Sequence, residues 1–186
     1  INASMFDIDD VTSVGLMVDG EHVNNEALAV DHNSLFAAGA RDQADKRARI
    51  YNLGCEDVEH ARARYRTLVQ SIRMLGCEGE NVWSQQPRQW SAALIGEDRE
   101  GYILFLLVRT PYSMHDLVEQ LRASPLGLVA LHYGDGGPPA AMYLRVGEEE
   151  RLWLGSYETG IQEDDENCCC FRFRFRCHSY SCCCDL

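Results

Sequence analysis

Asp135 is the carboxylate whose setting asks for an explanation. It stands in Leu131-His132-Tyr133-Gly134-Asp135-Gly136-Gly137, at the end of an apolar run that begins at Leu126. Pro138, Pro139 and a second apolar run from Ala140 follow. An acid at the mouth of a buried strand can be held rigidly at a cleft. Glycines beside it let the backbone take positive φ and let a ligand approach closely. Such a carboxylate can activate water or stabilise a developing positive charge. The same letters also spell an ordinary tight turn with aspartate as a turn residue.

The other reactive side chains form weaker patterns. The six histidines are scattered and read as surface or core residues, with His115 among charges on an expected helix. Glu148–Glu150 and Glu163–Glu166 read as solvated turns, because they lack the alternating acids and glycine of a calcium loop. Ser71 has no Gly-x-Ser-x-Gly elbow, which argues against a serine hydrolase triad. Of nine cysteines only Cys55 and Cys77 lie in the body, so its redox compartment is undecided. The other seven lie between Cys168 and Cys184, around a threefold Phe-Arg repeat. This tail, residues 168–186, reads as low complexity and non-native to the domain. The bland alternative is a strand with Phe inward and Arg outward. Adjacent cysteines without paired C-x-x-C spacing make a poor zinc site, and neither metal nor cofactor is expected.

The elements that must position Asp135 are mostly strands. Residues 1–24 read as short strands, with a hairpin turning at Asp19-Gly20. A second hairpin spans 33–52 around a charged loop at 41–47. Asp57 can cap a helix carrying Val58, Ala61, Tyr65 and Leu68 at roughly helical spacing. Residues 77–87 read as a loop. The stretch 90–110 reads as strand, Glu97–Gly101 turn, strand. Its second strand is apolar from Tyr102 to Val108, which predicts burial on both faces. Ser113 and Asp116 make a capping pattern before the stripe Met114, Leu117, Val118 and Leu121, with Pro125 past the end. Strands at 126–132, 140–146 and 151–154 follow. The expectation is an α+β fold, a mixed or antiparallel sheet with a few packing helices.

The 186 residues suffice for one domain with a real core. The formal net charge of -12 argues against a nucleic-acid partner, whose phosphates need a basic face. No window holds about eighteen consecutive apolar residues, so no membrane-spanning helix is expected. The chain opens at Ile1 inside an apolar pattern and reads as a domain incomplete at its N-terminus. A signal or anchor could precede it, so localisation is left open between secreted, periplasmic and membrane-anchored.

Four segments occur in a telling order: "INASMFD", "LVQSIRML", "LVALHYGDGGPPAAMYL" and "GSYETG". Together they resemble the phosphodiester glycosidase family, over residues 1–167. The family pattern is similar to Ile-Asn-Ala-Gly-Met-Phe, then Gln-Ser-Gly-Pro-Met-Leu, then Asp-Gly-Gly between apolar strands. The resemblance implies Asp135 as the catalytic group. It implies substrate contacts from Asn2, Asn33, Gln70, Ser71, Arg88, Gly136 and Gly137. It implies a carbohydrate phosphodiester as substrate, hydrolysed on an extracytoplasmic glycan or glycolipid. Phosphate is a good leaving group, so one rigid carboxylate with polar partners could suffice where most glycosidases use two. Glu158 is a candidate second carboxylate, though a solvated strand end is the plainer reading. Departures from the pattern are Ser4 for Gly, Ile72-Arg73 for Gly-Pro, and Pro138-Pro139 after the Asp-Gly-Gly segment. The Ile72-Arg73 change favours the alternative function, a glycan or sugar-phosphate binding module of the same fold without turnover.

Overall fold

The computed structural model describes residues 1–9, 11–42 and 47–155 in full, and beyond them the backbone of two short strands. The sequence order is β1 Met17–Asp19, β2 His22–Asn25, β3 Ser34–Ala40, β4 Arg49–Asn52, α1 Val58–Arg64 and β5 Tyr65–Ser71. It continues with β6 Trp90–Asp98, β7 Ile103–Tyr112, α2 Met114–Ala123, β8 Leu128–Gly136, β9 Ala141–Val146 and β10 Glu149–Leu154. Strands β11 Phe175–His178 and β12 Ser181–Cys184 pair with each other. Strands dominate, ladder pairing is antiparallel, and two short helices pack on them, as an α+β reading expects.

One sheet has five strands in the order β2-β1-β5-β3-β4, and another has three in the order β7-β6-β8. Both expected hairpins form, the first with Gly20 at φ +62°. The three-stranded sheet is covered on both faces. Leu94, Leu104, Leu106 and Leu131 pack under Met114, Leu117, Val118 and Leu121 of α2. Ile95 and Ile103 on the opposite face meet Ile50 and Phe36 of the five-stranded sheet. That double cover is why β7 is apolar without alternation. Helix α2 starts as its sequence predicts, with the Ser113 hydroxyl accepting from Asp116 N at 3.1 Å.

Two expectations are corrected. The Asp57-capped helix ends at Arg64, and Tyr65 and Leu68 belong to β5. Tyr65–Ser71 is the central strand, hydrogen-bonded to β1 on one side and β3 on the other. Two ladders outweigh one more helical turn. Strand β8 likewise does not stop at 132; it runs on through Gly136, so Asp135 lies inside the ladder and not in a turn after it.

The sheets are tied where β5 ends. Tyr133 N donates to Ile72 O and Met74 N donates to Leu131 O, each at 3.0 Å, so residues 72–74 run along β8. Cys55 and Cys77 form a disulfide that the sequence had left undecided. Among the described residues no helix is long and apolar enough to cross a membrane.

Candidate active site

The placement of Asp135 begins with a break in register. Ala93 faces Asp135 across the β6–β8 ladder, but Leu94 faces Tyr133, which leaves Gly134 as an extra residue. A bulge of this kind re-aims the side chains that follow it. Ile95 pairs with His132 and Ala93 with Asp135, so the bulge turns Asp135 to the face that His132 occupies. Without it, strict alternation would put Asp135 on the Tyr133 face.

The glycines serve close approach more than backbone conformation. A Cβ on Gly134 would come within 2.2 Å of Asn2 O and 2.8 Å of Ala93 O, so the first residues of the chain can cross here only over a glycine. A Cβ on Gly136 would lie 2.0 Å from the Tyr133 hydroxyl and 2.5 Å from the Trp90 ring. Only Gly137 of the group takes positive φ, at +69°. Its N–H donates to Ser91 O at 2.9 Å and closes the strand end. The expectation that glycine on both sides of Asp135 permits positive φ is thus replaced by packing at 134 and 136 and by conformation at 137.

Residues 1–4 lie between β8 and β5. Asn2 Nδ2 donates to Asp135 Oδ2 at 3.2 Å, and Asn2 Oδ1 accepts from Ala141 N at 2.8 Å. His132, fully buried, places Nε2 at 2.7 Å from Ala3 O and Nδ1 at 2.8 Å from the Ser34 hydroxyl. A carbonyl only accepts, so Nε2 carries the proton and Ser34 donates to Nδ1. Burial drives the His132 pKa down to about 4, and the ring is neutral at physiological pH. Ser4 Oγ donates to Gln70 O at 2.8 Å. Three segments far apart in sequence are stitched into one band.

Asp135 is half-buried, and its carboxylate accepts from Asn2 Nδ2 and from Gly136 N, the latter at 2.8 Å. A carboxylate offers about four lone-pair sites, so two stay open to a ligand or water. Burial raises its pKa, and the Gly136 N–H only partly offsets this. No ion pair holds it among the described residues. Across β8, on the Tyr133 face, stands an aromatic wall that the Asp135 charge still reaches. Trp90 Nε1 donates to the Tyr133 hydroxyl at 2.9 Å, and Trp83 lies 5.4 Å from Tyr133 and 6.5 Å from Trp90, ring to ring. Arg88, exposed, places its guanidinium 5.8 Å from the Trp90 ring centre. The Tyr133 pKa is pushed up to about 12, first by burial and also by the charge of Asp135, so the phenol stays protonated.

A phosphodiester glycosidase family model matches residues 1–167. The chain belongs to the phosphodiester glycosidase family. No curated protein and no solved structure gives a significant match. The family residues named from the sequence take different places in this fold. Asn2, Asp135, Gly136 and Gly137 converge, with Arg88 at the aromatic edge. Gln70 does not offer its amide to a ligand. Nε2 donates to Ala29 O and His32 O, while Oε1 accepts from Leu16 N and Ala29 N. All four bonds of that amide pin the 16–32 segment. Ser71 is fully buried opposite Ser34, and its hydroxyl has no partner among the described residues. Asn33 precedes Ser34, and its carbonyl accepts from Leu53 N at 2.9 Å. Glu158 and the cysteine tail's side chains lie outside the described residues. No cluster of metal-ligating side chains occurs among the described residues.

Sequence reasoning missed the aromatic wall, whereas its reading of the histidines as surface or core residues holds for His132, which is fully buried. A usable signal existed: Trp83 and Trp90 bracket an otherwise polar loop, and Tyr133 stands two residues before Asp135.

Proposed function

We propose that the protein hydrolyses a glycosyl phosphodiester, with Asp135 as the group that acts on the anomeric centre. The observation that carries the reading is a half-buried carboxylate of raised pKa, fixed by Asn2 and Gly136 N at the strand end where Gly136 abuts Trp90 and Tyr133. The sugar stacks on the partly exposed Trp90 face, as amphipathic rings favour. The Arg88 guanidinium faces the phosphodiester anion, for which its planar fork is suited. As the anomeric C–O(P) bond lengthens, positive charge develops on the ring, and ionised Asp135 stabilises it. Water then bonds to the anomeric carbon and gives a proton to the Asp135 carboxylate. The phosphate monoester leaves with the bond electrons and needs little protonation. The products are a free sugar and a phosphomonoester.

An extracytoplasmic glycan or glycolipid fits as the source of this diester. The Cys55–Cys77 disulfide supports that, since such bonds persist in oxidising compartments. The test is single-turnover hydrolysis of a chromogenic sugar phosphodiester by wild type and Asp135→Asn, each checked to be folded by circular dichroism. A loss of at least about a hundredfold is expected, the low end for a positioned acid–base group. Near-wild-type rates in the variant would remove Asp135 from the chemistry. Tight binding with no product from the wild type would make the chain a binding module instead.

A further inference from the structure

Arg73 joins the band through its backbone, which bridges His132 and whose carbonyl accepts from Trp83 Nε1 at 3.1 Å, but its side chain lines a separate cavity. Ile72 packs into the core under α2, so alternation sends Arg73 to the other face. There it lines a cavity of about 270 Å³ between β4, Glu97, β8 and the Cys55–Cys77 disulfide. The cavity's β8 wall ends at Leu131, with Ala130 five residues before Asp135, roughly 15 Å along a strand.

The charges in this cavity are unequally matched. Arg49 meets both of its carboxylates, Glu56 at 3.3 Å and Glu97 at 3.7 Å. Those carboxylates also accept from Asn52 N at 2.8 Å and Ile50 N at 2.7 Å. Arg73 has no carboxylate partner among the described residues. Its Nη1 donates to Asn52 Oδ1 at 2.6 Å. A guanidinium has five N–H donors, so most of this one is unused. The position is fixed: Gly54 N holds the same Asn52 oxygen at 3.0 Å, and a Cβ on Gly54 would sit 2.4 Å from Arg73 Nη1. Among the described residues this aimed, half-buried cation has no counter-charge of its own, which a carboxylate or phosphate group can supply.

We propose that this cavity is a second binding site, for a small polyhydroxylated oxyanion whose carboxylate or phosphate pairs with Arg73 and whose hydroxyls face Glu56 and Glu97. The volume lies at the small end for ligand pockets, about 300 Å³ and upward, and suits one sugar ring rather than an oligosaccharide. Sugar acids and sugar phosphates share the required chemistry. The site does not depend on the reading of Asp135.

Isothermal titration of the full chain with glucuronate, glucose 6-phosphate and neutral glucose tests it. One or both anions should bind at one equivalent, with glucose at least about tenfold weaker. Tighter glucuronate binding assigns a carboxylate ligand, and tighter glucose 6-phosphate binding a phosphate. Arg73→Gln should weaken anion binding at least about tenfold, and Arg73→Lys by less, since lysine lacks the two-bond fork. If Arg73→Gln does not fold, Arg73→Lys carries the comparison and must still bind more weakly than wild type. Asp135→Asn should bind as wild type does. Failure of both anions at millimolar concentration, undiminished binding by the Arg73 variants, or loss of binding in Asp135→Asn would each overturn the proposal.

Discussion

Asp135 and Glu97 are two carboxylates on paired strands of one sheet, and burial raises the pKa of both. Their partners differ. Glu97 accepts from Ile50 N at 2.7 Å and faces Arg49, so it staples β4 to β6 across the seam between sheets. Asp135 is held by the Asn2 amide and its neighbour's N–H, with no cation among the described residues. Asn2 is independently fixed through Ala141 N. Burial alone therefore does not mark a reactive group. What separates the two is whether the buried charge is answered by the fold or left for a ligand to answer.

The largest effect expected from that contrast is on turnover. Asp135→Asn should cut it at least about a hundredfold, while its melting temperature at neutral pH stays the same or rises. The sign follows from linkage. A raised folded pKa adds stability at low pH that is lost as pH rises through it, so the ionised Asp135 is a net cost at neutral pH. The same ionisation sets the acid limb of kcat/KM. Activity should rise with pH through a value above 3.8, the ordinary aspartate value. A limb at or below 3.8 would contradict the assignment, and so would a marked loss of stability in Asp135→Asn.

Gly134→Ala asks whether the bulge is what aims Asp135. The new methyl would meet two backbone oxygens, which cannot swing aside as a side chain can. We expect a loss of about 1–3 kcal/mol, the usual cost of overpacking, and a fall in turnover per folded molecule as residues 1–3 shift. Denaturant midpoints and active-site titration separate the two. Unchanged turnover with reduced stability would mean that the bulge serves only the fold.

Glu97→Ala should invert the Asp135 result. Ile50 N loses a buried acceptor, at a cost of about 1–3 kcal/mol, while turnover per folded molecule stays within about twofold, the spread expected away from the chemistry. A Glu97→Ala protein as stable as wild type would dissolve the distinction between a structural and a chemical carboxylate.

How much of this could be read from the sequence depends on how local each signal is. The Asp19-Gly20 hairpin and the Ser113-capped α2 are written within a few residues, and both were legible. Tyr65 and Leu68 were misread because their neighbours across two ladders, β1 and β3, decide their state. Asp135 was legible as a candidate, but its mechanism of placement was not. The bulge is a property of the β6 pairing, and the Asn2 contact joins residues 133 apart in sequence. The Gln70 motif was recognisable, yet its amide's four backbone partners lie on a segment no local pattern connects to it. Cys55–Cys77 needed the fold to bring two loops together.

The smallest expected effect concerns the aromatic wall. Trp90 offers two things that a substitution can part: a ring face, and an N–H donated to the Tyr133 hydroxyl at 2.9 Å. Phenylalanine keeps a face and loses the donor; alanine loses both. If a sugar stacks on this ring, aromatic contact of about 0.5–1.5 kcal/mol is at stake, which corresponds to roughly two- to tenfold in KM. Trp90→Ala should raise KM by about that factor, and Trp90→Phe by about twofold or less, with kcat nearly constant in both. A purely structural Trp90 predicts another pattern. The two variants would then differ in melting temperature, according to how much packing against Trp83 and Tyr133 survives, and KM per folded molecule would be unchanged in each. Equal KM values for wild type, Phe and Ala would place the sugar elsewhere, and Asp135 would then need a different neighbour to explain how an anomeric carbon reaches it.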